Sequence, residues 1–112
     1  MNIETYAPSQ IKFDGMLKLM NDLEFNYYIH NNTLMKNIDI NEILNIYMES
    51  QIEIKFTLLV INSEVFYSEG LVNKNNINGT DEWHIGSKNL GEFMFDHTEE
   101  KVVLLINILR RT

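Results

Sequence analysis

The hydrophobic pattern of the chain opens with a helical period. In "SQIKFDGMLKLMNDLEF", Phe13, Met16, Leu17, Met20 and Leu23 recur at offsets of 0, 3, 4, 7 and 10, a spacing that gathers side chains on one face of a helix. The spacing predicts a helix here, capped by Ser9 or Asp14 and weakened by about 1 kcal/mol if Gly15 is interior. Pro8 closes a short irregular or edge-strand start. "NYYIHNNTLMKN" mixes aromatics with turn-forming asparagines and reads as a connection that partly covers the core. In "DINEILNIYMES", Asp39 followed three residues later by Glu42 resembles a capping box, and Ile40, Ile43, Leu44 and Tyr47 form a stripe. A second helix is expected from 39 to 50.

At Gln51 the period changes to 2. Ile52, Ile54, Phe56, Leu58 and Val60 fall on one face and Glu53, Lys55 and Thr57 on the other, as in a half-buried antiparallel strand. Asn62 and Ser63 mark a turn, and "EVFYSEGLVN" continues as the second strand of a hairpin. Gly70 inside it marks a bulge or a place where another backbone comes close. Asn78-Gly79 is a hairpin signal between "LVN" and "EWHI", because a type I′ turn needs positive φ at both central residues. Alternation in "DEWHI" puts Trp83 and Ile85 on a core or apolar side and Glu82 and His84 on a solvated side.

"MFDHTEE" reads as a polar loop between two strands. "HTEEKVVLLINILRR" has a helical alternative, with Thr98 as cap and Arg110 and Arg111 in the last turn. The strand is favoured, since Val102, Val103, Ile106 and Ile108 are β-branched and "VVLLI" is apolar on both faces, which suits a central strand under the two helices. The expected architecture is therefore α+β in the order ααβββββ: two N-terminal helices on one face of a four- or five-stranded antiparallel sheet.

With 112 residues and 45% hydrophobic content, the chain has the length and apolar content of a single domain. Cysteine is absent, which removes disulfides, thiolate metal sites and cysteine nucleophiles. "MNIETYAPSQIKF" lacks the basic start and apolar stretch of a signal peptide, and no run approaches the ~20 apolar residues that span a bilayer, so a cytoplasmic protein is expected. The net charge of −7 is spread over both halves of the chain, and Arg110-Arg111 is the one adjacent basic pair. Direct nucleic-acid binding is disfavoured, because it needs a positive surface to displace counterions from phosphates. A basic partner would be attracted by the same charge, although acidity also serves solubility.

Candidate chemistry is sparse. The chain has no GxSxG, GxxxxGK[ST] or GxGxxG, and its glycines at 15, 70, 79, 86 and 91 are too scattered to cradle a phosphate. His84 and His97 would make a two-histidine, two-carboxylate metal site if they met Glu82 and Asp96, but no HExxH-like spacing supports it, and His30 lies among asparagines. A small metal-dependent or ligand-binding enzyme built on those four residues is one alternative function. A self-assembling subunit joined through an exposed sheet edge is another.

The favoured expectation is a non-enzymatic, cofactor-free interaction module that binds a larger protein, such as a stoichiometric inhibitor, an immunity protein or an anti-defence protein of a mobile element. Trp83, Tyr67 and Phe93 are the expected aromatic contacts, with Glu69, Glu82 and Glu92 around them. An uncovered sheet face holding Leu59, Ile61, Phe66, Val72 and part of "FMF", rimmed by Glu53, Glu64, Glu69, Glu82 and Glu92, would be a protein-binding or dimer surface. On this expectation Trp83→Ala abolishes binding and leaves the fold intact, whereas loss of folding assigns Trp83 to the core.

Overall fold

The computed structural model describes residues 10–21, 26–77 and 79–109. In chain order the elements are β1 (Gln10–Asn21), β2 (Asn26–Asn31), β3 (Lys36–Asp39), α1 (Ile40–Ser50), β4 (Ile54–Val60), β5 (Val65–Gly70), β6 (Val72–Ile77), β7 (Thr80–Ile85), β8 (Lys88–Asn89), α2 (Leu90–Asp96) and β9 (Lys101–Ile108). A six-stranded sheet has the order β3-β2-β1-β9-β4-β5, a three-stranded sheet the order β6-β7-β8, and every pairing is antiparallel. The expected order ααβββββ is thereby corrected: three strands precede the first helix, and the second helix comes late.

Residues 13 to 20 lie in a strand, β1, and not in the expected helix. Phe13 and Leu17 are four apart, an offset that a helical face and a strand face both satisfy, so the sequence signal was ambiguous. In β1, Leu17 is fully buried and Phe13 and Leu19 pack against the core, while Met16 and Met20 lie on the opposite face. Asp14 is exposed in mid-strand and caps nothing. Ser9, Leu23 and the start around Pro8 lie outside the described residues. Strand β1 pairs with β9 over Gln10 to Met16 and with β2 over Met16 to Asn21, changing partner at Gly15 and Met16. A Cβ on Gly15, at φ +150, would overlap the carbonyl oxygen of His30. Only glycine lets the two strands approach this closely.

The expected connection at 26 to 37 is also a pair of strands, β2 and β3, with Tyr27 and Ile29 buried by alternation. Helix α1 follows its sequence signal: Asp39 Oδ1 accepts from the Glu42 N–H at 3.1 Å, and Ile40, Leu44 and Tyr47 are buried. Strand β4 buries Ile54, Phe56, Leu58 and Val60, and the hairpin to β5 turns through Asn62 at φ 60. The β6–β7 hairpin closes between Ile77 and Thr80 through Gly79 at φ +85; Asn78 lies outside the described residues.

"FMF" is helical, not a strand. Asn89 caps α2 by accepting from the Glu92 N–H at 2.9 Å, and the polar turn is confined to residues 97–100. Strand β9 is central, between β1 and β4, as its two-sided apolar pattern suggested. Val102, Leu104 and Ile106 are buried on its inner face and Val103 and Leu105 half-buried on its outer face. One core joins the inner face of the large sheet to α1, α2 and the small sheet. The outer face has no helix or strand over it among the described residues.

Gly70 does meet another backbone, since a Cβ there would lie 3.0 Å from Gly86 Cα. Gly86 in turn packs on Glu69, and its N–H donates to Leu71 O at 2.9 Å, which fixes the small sheet to the edge of the large one. Gly15→Ala is expected to destabilise the fold by at least about 2 kcal/mol, and Gly79→Ala, where only the positive φ opposes a side chain, by about 1 kcal/mol. Urea unfolding checks the order; an equal loss at the two positions would show that β1 and β2 separate without penalty.

Candidate functional site

The expected contact residues are divided among three places. Trp83, in the middle of β7, is 3% exposed and belongs to the core with Ile85. The Lys74 ammonium lies 4.5 Å from the centre of its ring, a cross-strand cation–π contact. Tyr67 and Glu69 lie on the outer face of the large sheet, where the Tyr67 hydroxyl donates to Glu69 Oε1 at 2.6 Å and Lys55 approaches the same carboxylate at 3.9 Å. Glu82, Glu92 and Phe93 gather around α2. Of the expected apolar patch, Phe66 and Val72 are in the core, and Leu59 and Ile61 are exposed on the outer face.

The α2 corner is built from short, reciprocally held pieces. Asn89 Nδ2 donates to Glu82 Oε2 while Asn89 Oδ1 accepts from the Glu92 N–H, so one side chain ties β7 to the start of the helix. Phe93 packs on Phe66 with ring centres 5.5 Å apart and on the His97 imidazole at 4.5 Å. His97 is bonded through Nδ1 to Glu100 at 2.6 Å, and its Nε2 faces Glu64 at 3.5 Å. Lys88 Nζ donates to Tyr67 O at 2.7 Å. Between Phe66, Phe93, Lys88, Asn89, Glu92 and Asp96 lies a shallow hollow of about 320 Å³. On the same helix Phe95 is 54% exposed, and Glu92 and Asp96 are exposed.

The expectation that His84 is solvated is corrected: it is 8% exposed. Parity placed it correctly opposite Trp83, but β7 is the middle strand of its sheet, and Asn73 and Asn89 flank His84 on either side. Its Nδ1 lies 3.2 Å from Glu82 O. His97 has Glu64 and Glu100 as its carboxylate neighbours, not Asp96. His30 sits between Asn37 and Asn32, at 2.6 and 3.2 Å. Among the described residues no group of three or more histidines and carboxylates is arranged to hold a metal ion.

A second concavity, a cleft of about 630 Å³, opens on the outer face between the β2–β3 and β4–β5 turns. Met16, Ile61 and Val103 supply apolar lining, and Asp14, His30 and Lys101 supply polar groups. The sequence reading missed this cleft, because it is assembled by strand order and carries no local motif. Phe95 falls within the "FMF" expected on an uncovered sheet face; it is exposed, but on α2, whose signal is the Asn89–Glu92 spacing.

No helix among the described residues is long and apolar enough to cross a membrane. Compared with models of known protein families, with curated proteins and with solved structures, the chain gives no match.

Tyr27, buried beneath this corner, reports on its electrostatics. Burial pushes its hydroxyl up to about 12, with the carboxylates of Glu82 and Asp96 adding to the shift; burial also raises Tyr47. The unfolded group ionises near 10, so between about pH 10 and about pH 12 the unfolded state binds fewer protons. Stability is therefore undiminished by Tyr27 below pH 10 and falls as pH rises through that window. Urea midpoints measured across the window should show the decline, and Tyr27→Phe should flatten it; an unchanged slope would show that Tyr27 ionises in the folded protein. Trp83→Ala is expected to remove about 3 to 5 kcal/mol by opening a core cavity, seen as a fall in melting temperature, in place of a selective loss of binding.

Proposed function

We propose that this protein is a small, acidic, non-enzymatic interaction module that docks a basic surface of a larger protein against its α2 corner and thereby blocks or regulates it. Phe95 carries the reading: a large aromatic ring, 54% exposed, on a short helix that also carries the exposed carboxylates of Glu92 and Asp96. Aromatic anchors with a polar rim are where interface energy concentrates. The surrounding acids, within a net charge of −7, would steer a basic partner and repel phosphate backbones. Inhibitor, immunity and anti-defence proteins fall within this reading. It places the protein in the cytoplasm, needs no cofactor or membrane, and makes Glu82 and Phe93 supports of the corner and Trp83 its floor.

The histidines fit this role better than a catalytic one, since each has at least one ring nitrogen engaged with groups of the fold itself. A pull-down from host lysate with wild-type protein and with Phe95→Ala and Glu92→Lys/Asp96→Lys variants tests the assignment. The expected result is one dominant basic partner at moderate salt, held at least about tenfold more weakly by each variant with the melting temperature unchanged. A partner retained equally by all three proteins, or none at either low or moderate salt, overturns it.

A further inference from the structure

The cleft of about 630 Å³ on the outer face of the large sheet falls within the size range of small-molecule sites, about 300 to 1,000 Å³. Strand register arranges its lining. Lys101 on β9 stands opposite Met16 on β1, and Val103 stands opposite Asp14, so Lys101 and Asp14 are diagonal neighbours about 7 to 8 Å apart at the backbone. Ile61 continues the row beyond Lys101, to whose carbonyl its N–H donates at 3.0 Å. We propose that this cleft binds an α-amino acid with an apolar side chain: the carboxylate on Lys101, the ammonium on Asp14 and the side chain against Met16, Val103 and Ile61.

Charge selects a zwitterion over a simple anion or cation. The Lys18 ammonium is already taken by Glu99 at 2.8 Å. Asp14 and Lys101 form no ion pair with each other or with any other described residue. A carboxylic acid alone would be drawn to Lys101 and repelled by Asp14, and an amine alone would meet the reverse. A head group carrying both charges satisfies both side chains at once through charge-assisted hydrogen bonds. The two free charges of the lining cancel, which sets this cleft apart from the acidity of a chain carrying −7 overall.

The polar wall of the cleft is held by the fold itself. Asn31 Nδ2 donates to Asp14 O at 3.0 Å and to Asp14 Oδ1 at 3.2 Å, while Asn31 Oδ1 accepts from the Leu34 N–H at 2.8 Å, so one side chain pins the β2–β3 turn to β1. Asp14 is thereby oriented through one oxygen, and its other oxygen has no partner among the described residues. The His30 ring is held between Asn37 and Asn32. Gly15, packed on the His30 carbonyl, brings this wall close to the β1 floor. A site ordered in advance loses less of its contact energy to immobilisation. The apolar part is ready for cover as well: Met16 and Val103 are half-buried, and Ile61 is 43% exposed.

Isothermal titration calorimetry of the full chain with L-leucine tests the assignment. The expected result is one saturable site per chain, with a dissociation constant of about 1 mM or below. Isocaproate, which lacks the ammonium, and isoamylamine, which lacks the carboxylate, should each bind at least about tenfold more weakly. Asp14→Asn, which keeps an acceptor for Asn31, and Lys101→Met should each weaken L-leucine at least about tenfold with the melting temperature unchanged. Ile61→Asp, at an exposed position, takes the place of either variant that lowers the melting temperature. Glu92→Lys/Asp96→Lys should leave L-leucine binding intact, so this inference and the α2 reading fail independently. No saturable heat with L-leucine, isocaproate or isoamylamine binding as tightly as L-leucine, or an affinity insensitive to the cleft variants overturns the proposal.

Discussion

The pairing of β9 with both β1 and β4 is the interaction on which the rest of the molecule depends. Strands β3, β2 and β1 form one half of the large sheet and β4 and β5 the other, and each half is hydrogen-bonded to β9 and not to the other half. The last described strand thus joins parts of the chain made long before it, with Gln10 opposite Asn107. Closing so long a loop carries an entropy penalty before any contact rewards it, which places this topology among the slower-folding ones. The inner side chains of β9 meet that penalty: Val102, Leu104 and Ile106 are at most 1% exposed in the common core.

Because β9 is apolar on both faces, it also determines what the two sides of the sheet offer. The inner side receives α1, α2 and the small sheet, whose solvent surfaces carry Glu42, Glu49, Asp81, Glu92 and Asp96. The outer side keeps Val103 and Leu105 beside Leu59, Val65 and Tyr67, with lysines on the neighbouring β1. One chain therefore presents an acidic side with an exposed aromatic ring, Phe95, and a sheet face with exposed apolar side chains.

Legibility in the sequence followed a physical line. Period 2 in β4, the Asp39–Glu42 cap, the Asn62 turn, the close approach at Gly70 and the two-sided apolar run of β9 each belong to one local element, and each was readable. Residues 13 to 20 were not, because a strand apolar on both faces, interrupted by glycine, reproduces helical offsets. The deciding fact, the packing of Gly15 on the His30 carbonyl, lies on another strand. "NLGE" carried the same spacing as "DINE", yet the aromatic "FMF" after it outweighed a cap that supports only a seven-residue helix. Parity named the correct sides for Trp83 and His84. It could not say whether a side was covered, and both proved buried for that reason.

Trp83 then acquires a different role from the contact expected of it. A seven-residue helix has too few internal hydrogen bonds to persist alone. Helix α2 persists because its ends and its inner side are held from outside. Asn89 caps its start and reaches Glu82, Gly91 packs so tightly that a Cβ would lie 3.3 Å from the Trp83 amide nitrogen, and Phe93 is stacked between Phe66 and His97. Trp83, covered on one ring face by Lys74, is part of the floor under that arrangement. Under the proposed function, a rigid support would let Phe95 and its neighbouring carboxylates meet a partner with little ordering left to do, and on a loop the same residues would lose much of their contact energy to immobilisation. Under the proposed function the tryptophan would serve recognition by staying buried.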